Sequence, residues 1–140
     1  MRAEFNAFKT CLAAHTILSG KVDTVVRLNT DGSPVRTNYV IATPSVPDRL
    51  DDGRFTAPQQ ADSDRLLTFD VRTVAVDSDG VLLLTEAVIT QVVGHELTVP
   101  GRRCERIRLV EGVEEGRVEF DRTARLFYVD MSFRFVSRRG

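Results

Sequence analysis

Apolar side chains recur at two different periods along this chain, and the switches between them lay out its elements. Over residues 3 to 19, Phe5, Phe8, Leu12 and His15 fall three and four positions apart, with Cys11 and Leu18 flanking the same side, the spacing of an amphipathic helix. Ser19-Gly20 supplies a stop. Val22 to Leu28 and Val35 to Thr43 are β-branched segments separated by the turn formers Asn29-Thr30-Asp31-Gly32-Ser33, which predicts a hairpin. From Pro44 to Ser63 the periodicity vanishes among Pro44, Pro47, Pro58 and Asp51-Asp52-Gly53, and a long exposed loop over 44–63 is expected. Leu66 to Val76 then alternates as a strand, Leu67, Phe69 and Val71 against Thr68, Asp70 and Arg72, before its apolar set moves to Val74 and Val76. That phase change predicts a bulge or twist near Thr73.

Asp77-Ser78-Asp79-Gly80 offers capping residues ahead of a second helix over about Val81 to Val93, where Val81, Leu84, Ala87, Val88 and Val92 keep helical spacing. Leu82 and Leu83 add apolar surface, which predicts deep burial, and Gly94 stops the helix. The rest reads as strands: Glu96 to Val99, Arg102 to Val110, Arg117 to Phe120 and Arg125 to Val136, with a turn over 111–116. In the last strand Phe127, Val129, Met131, Phe133 and Phe135 face one way and Tyr128, Asp130, Ser132 and Arg134 the other. Helix, three strands, helix, then three or four strands predict an α+β fold, with a mostly antiparallel sheet of about six strands and two helices packed on one face.

Composition narrows the class further. A chain of 140 residues, 42% of them apolar, can fill one core, so a single domain over 1–140 is expected. The net charge of -1 argues against retention on nucleic acid by a global positive field, while leaving local basic patches open. No apolar run approaches the ~20 residues of a membrane span, and Glu4 and Lys9 interrupt the N-terminal stretch where a signal peptide needs an apolar core. Synthesis in the cytoplasm and no membrane partner are expected. Cys11 and Cys104 lack C-x-x-C spacing and a neighbouring histidine, so they read as reduced core thiols. Arginine outnumbers lysine 17 to 2, which suits bidentate contacts to carboxylates or phosphates and equally follows from a GC-rich coding sequence.

Catalytic chemistry finds little foothold. Asp77-x-Asp79-Gly80-x5-Glu86 approximates a calcium loop, but Ala75 stands where the first carboxylate is needed and Leu83 at the ninth position. A capped helix start explains the same residues. His15 on the apolar stripe and His95 past the second helix sit in no nucleophile or metal motif, and no phosphate-binding glycine motif is present. The carboxylate pairs Asp51-Asp52 and Glu114-Glu115 fall in predicted turns. A non-enzymatic protein without cofactor or metal is therefore expected. Arg102, Arg106 and Arg108 are separated by even numbers and are expected on one face of a strand, while Asp130 and Arg134 lie on the outward face of the last. Cross-strand pairs or charged contacts between subunits are the favoured use, because the face lacks the interleaved aromatics of a single-strand binder.

The succession of a helix, a hairpin, ATPSVPDRLDDGRFTAPQQADSD, RLLTFDVRTVAV running into a helix, ELTVPGRRCERIRLVEG and LFYVDMSFRFVSRR resembles the tail terminator, or tail completion, proteins of long-tailed bacteriophages, especially those infecting actinobacteria. The likeness covers roughly residues 1 to 138, with VPGRRC and FYVDMSFRF closest. It implies an α+β subunit that joins a hexameric ring on the last ring of tail-tube protein, ends tube growth and offers the surface for a head-completion or connector protein. The virion's head-proximal tail end is then its location, and DNA passes through the channel without specific binding. Arg49, Arg54 and Phe55 in the proline-containing loop become candidate partner contacts, since arginine and aromatic residues anchor interfaces. Another head-closure or minor tail protein is the nearest alternative; a small ligand- or nucleic-acid-binding α+β domain is the alternative of a different class.

Overall fold

The computed structural model describes residues 2–44, 48–49, 64–110 and 117–140, the backbone alone at 48–49. Helix α1 spans Arg2–Ala13 and α2 spans Ser78–Val92. The strands are β1 (Val22–Asp23), β2 (Tyr39–Pro44), β3 (Asp48–Arg49), β4 (Arg65–Ala75), β5 (Thr98–Val99), β6 (Arg102–Cys104), β7 (Arg108–Leu109), β8 (Glu119–Asp121) and β9 (Leu126–Arg139). They join one sheet in the order β1-β2-β4-β9-β6-β5, with β3 beside β4 and with β7 and β8 beside β9. Every pairing is antiparallel except β1 with β2. The α+β class and the placement of the helices follow the expectation.

β9 is the spine of the sheet. One edge pairs with β4 in unbroken register from Arg65↔Ser137 to Ala75↔Phe127. Along the other edge β8, β7 and β6 dock in turn at Leu126–Tyr128, at Phe133 and Arg134, and at Ser137–Arg139. Both helices cover the face defined by Leu67, Phe69, Val71, Val129, Met131 and Phe133. Phe8 of α1 lies 4.9 Å from Phe69 and 6.1 Å from Phe133, ring centre to ring centre, and Phe5 meets Phe69 edge-on at 5.3 Å. α2 is pinned by a buried hydroxyl pair, Thr73 Oγ1 to Thr85 Oγ1 at 2.9 Å. The helices are tied to each other through Gln91, whose Nε2 donates to the Cys11 carbonyl at 2.8 Å.

α1 ends at Ala13, short of the predicted residue 19. His15 Nδ1 accepts the Ile17 amide at 3.2 Å, removing a donor from the helical ladder, and the β-branched Thr16-Ile17 step disfavours its continuation. Leu18 is still buried beneath the turns that follow. The predicted hairpin is replaced by a parallel β1–β2 pair, Val22↔Val40 and Asp23↔Ile41. Antiparallel contact survives in the Asn29–Ser33 turn, one Leu28–Pro34 bridge and the Val35 amide on the Arg27 carbonyl at 3.0 Å. The Arg27 amide, which would return a bond to the Val35 carbonyl, goes instead to the Tyr39 hydroxyl at 3.2 Å, and the ladder ends there.

No bulge interrupts β4: Leu67, Phe69, Val71, Thr73 and Ala75 all face the helices. Val74 instead joins Tyr39, Ile41 and Leu126 in a small apolar cluster on the opposite face, so the apparent phase change records a second buried surface. α2 starts as expected, with Asp77 Oδ1 accepting the Gly80 amide at 2.6 Å, and it stops before Gly94, whose φ is 82°. Its predicted deep burial is corrected at Leu82 and Leu83, 47% and 52% exposed, because the sheet covers only one side of the helix. The expected 102–110 strand is broken at 105–107, where the Ile107 amide turns to the His95 carbonyl at 3.0 Å. Most of the loop expected over 44–63 and the 111–116 turn lie outside the described residues; within 44–63, Pro44 belongs to β2 and Asp48–Arg49 form β3.

Candidate functional site

The helix-free face of the sheet gathers most of the polar side chains that the core does not use. Odd positions of β4 and β9 are committed to the helices, so even positions project outward and meet in registered rows. In one row Arg72 faces Asp130 and donates to it twice, Nε to Oδ1 at 2.7 Å and Nη2 to Oδ2 at 3.0 Å. The guanidinium also lies over the Tyr128 ring, 4.4 Å from its centre. Hydrogen bonding to Asp130 raises the Arg72 pKa further. In the next row Ser132 donates to Asp70 at 2.6 Å. The third row sets Thr68, Arg134 and Arg108 side by side across β4, β9 and β7.

That third row is electrostatically incomplete. Two arginines stand directly opposite each other, an arrangement that costs stability without an intervening anion, and the buried Nε of Arg134 makes no hydrogen bond. Above the first two rows the chain segment at 24–26 rises over the sheet and leaves an open groove of about 680 Å³, bordered by Val25, Val26, Ile41, Thr43, Asp70 and Ser132. Val25 and Val26 are largely exposed at 70% and 49%. The wall is thus apolar on the β2 side and hydrogen-bonding along β4 and β9.

Arg102, Arg106 and Arg108 do not share a face, contrary to expectation. Arg102 pairs with Arg139, an odd position on the helix side, whereas Arg108 pairs with Arg134 on the opposite side; the break at 105–107 reverses the phase. Arg102 is turned onto Ser137, donating Nε to its Oγ at 3.0 Å and Nη2 to its carbonyl at 2.7 Å. Arg106 is exposed and sits 3.5 Å from Glu96. Asp130 and Arg134 do lie on the outward face, as expected. Arg54 and Phe55 lie outside the described residues, and Arg49 contributes described backbone only, in β3 opposite Arg65. Arg72, Asp70 and Ser132 were not singled out from the sequence. Their outward alternation was visible, but only the β4–β9 register reveals their partners.

A second charged cluster fastens the end of the sheet. Arg138 bridges Glu105 at 2.8 Å and Asp64 at 3.2 Å, while Asp64 also accepts the Arg139 amide at 3.0 Å. That backbone hydrogen bond, then Arg138, holds the Asp64 carboxyl below its usual range. Cys11 and Cys104 are buried, and burial pushes both thiols up. Among the described residues no group of three or more metal-ligating side chains converges, and no helix is long and apolar enough to cross a membrane.

No protein-family model matches the chain, and no curated protein matches it. Among solved structures the fold is similar to a chain described as "Virion of native gene transfer agent (GTA) particle", with a TM-score of 0.72 and 16% identity over 99% of this chain and 96% of that one. At that identity the likeness establishes a shared α+β fold from end to end.

Proposed function

We propose that this chain is a structural, non-enzymatic subunit of a phage-like virion, and specifically a tail terminator. In this role it forms a ring on the last ring of tail-tube protein, ends tube elongation and presents the surface on which a head-completion protein docks. The observation that carries the reading is the end-to-end fold correspondence with a chain of a gene transfer agent virion, together with the resemblance of its segment order to tail terminators. The outward sheet face fits the role. A ring subunit needs heterologous surfaces that close by rotation, and the groove, next to the Arg134–Arg108 row in which Arg134 Nε has no hydrogen-bond partner among the described residues, fits as one of them. The net charge of -1 also suits a channel through which DNA moves without being held.

The direct test is to mix the purified full-length chain with tail tubes of its own particle and view them by negative-stain electron microscopy. The reading predicts ring-shaped density at one end of each tube and no further growth there when tube protein is added. Tubes that stay bare and continue to elongate at both ends would refute it.

A further inference from the structure

The outward groove has a counterpart on the other side of the molecule. On α2, with its cap residue Val93, the residues that do not face the core form one arc: Leu82, Glu86 and Val93 along its middle, Asp79, Thr90 and Leu83 beside them. Leu82, Leu83 and Val93 are 47%, 52% and 42% exposed, an apolar surface on a helix whose opposite side is fully packed. Asp79 and Glu86 join no ion pair among the described residues. The helix arc is therefore convex, apolar and acidic. The sheet face is open, apolar along Val25, Val26 and Ile41, and carries Arg108 and Arg134 side by side with no carboxylate partner among the described residues.

We infer that these surfaces meet between copies of this chain: α2 of one subunit docks on the outward sheet face of the next, with Leu82 and Leu83 in the groove and Glu86 between Arg134 and Arg108. The spacing agrees. Leu82 and Glu86 are four residues apart, about 6.0 Å along the axis. Ser132 at the groove and Arg134 are two residues apart on β9, about 6.8 Å. A leucine seated over Ser132 thus brings the glutamate to the guanidinium row, where a planar carboxylate satisfies two forks at once. Because the two patches are different surfaces of one subunit, the contact is head-to-tail, the type that forms a ring where the rotation from one subunit to the next closes. The inference rests on the ring reading above and specifies its interface.

The test uses the full-length chain carrying Val26→Cys and Leu83→Cys, concentrated and mildly oxidised. Cys11 and Cys104 are buried and do not compete. A ladder of covalent multimers is expected, with peptide mapping joining position 83 of one copy to position 26 of another. A bond joining 83 to 83, or no bond, overturns the docking mode. The charge arm is read in the particle: Glu86→Arg lowers the yield of correctly terminated tails about tenfold or more, and adding Arg134→Glu to the same chain restores it. If Glu86→Arg terminates tails normally, the docking mode fails while the terminator reading stands. That reading fails separately, when removing the chain altogether leaves tail length unchanged.

Discussion

Arg72 and Asp130 stand directly opposite each other on the two longest strands, joined by a two-pronged hydrogen bond at 2.7 and 3.0 Å and capped by the Tyr128 ring. The pair lies on the outward face, and its side chains are 46% and 57% exposed. Solvent screening at that exposure keeps its contribution small. Both side chains line the groove on that face.

Arg72→Ala and Asp130→Ala should accordingly each destabilise the fold by less than about 1 kcal/mol in urea denaturation. A double-mutant cycle should return a coupling of a few tenths of a kcal/mol, up to about 1 kcal/mol. A coupling several times larger would mean that the pair is shielded far more than its exposure indicates.

The hydroxyl pair beneath α2 behaves differently, because it is buried. Thr85 Oγ1 donates to the Val81 carbonyl at 2.7 Å, which leaves Thr73 as the donor in the 2.9 Å contact between them. Thr85→Val strands the Thr73 hydroxyl and should cost about 1–3 kcal/mol. The Thr73→Val/Thr85→Val double substitution should cost less than the sum of the two singles, since neither position then keeps an unsatisfied hydroxyl. Strict additivity in thermal and urea unfolding would contradict the pairing.

The aromatic core depends on Phe69, fully buried and in ring contact with Phe5, Phe8 and Phe135 at 5.3, 4.9 and 5.5 Å. Phe69→Ala should lower stability by about 3–5 kcal/mol and loosen α1 first, visible as faster amide exchange over residues 2–13. Uniform loss of protection across α1 and α2 would instead assign Phe69 to both helices equally.

Glu4 supplies a pH dependence. Burial alone would raise its carboxyl, but hydrogen bonding and nearby cationic charge, Arg65 included, outweigh this and hold it below the ordinary value of 4.5. A carboxyl depressed on folding stabilises the protein fully above its unfolded value and loses that contribution as pH falls through the folded value. Glu4→Gln should therefore be less stable than wild type at neutral pH, with the difference shrinking as pH drops below 4.5. A gap that stays constant from pH 7 to pH 3 would show that the charge contributes nothing.

Strong periodicity made part of this molecule legible. β9 announced itself through five alternating apolar positions, and α2 through its spacing and its Asp77 cap. Readings failed where one local signal served two purposes. The apolar shift at Val74 marked a second cluster on the far face, and the apolar surplus at Leu82 and Leu83 marked exposed surface rather than depth. The β1–β2 pair is not legible because turn residues at 29–33 do form a turn, yet the Arg27 amide goes to the Tyr39 hydroxyl rather than to the facing segment, and no hairpin grows from it. The candidate site was only half visible: Asp130, Ser132 and Arg134 could be assigned to the outward face, but their pairing with Arg72, Asp70 and Arg108 depends on strand register, which no single segment encodes.

Whether this chain ends tail growth, as proposed, is decided by removing its gene from the particle that encodes it and measuring tail length by electron microscopy. Filled heads without tails are expected alongside detached tails of abnormal, uncontrolled length, both corrected when the intact chain is supplied. Tails of normal, uniform length attached to filled heads in its absence would contradict the proposal.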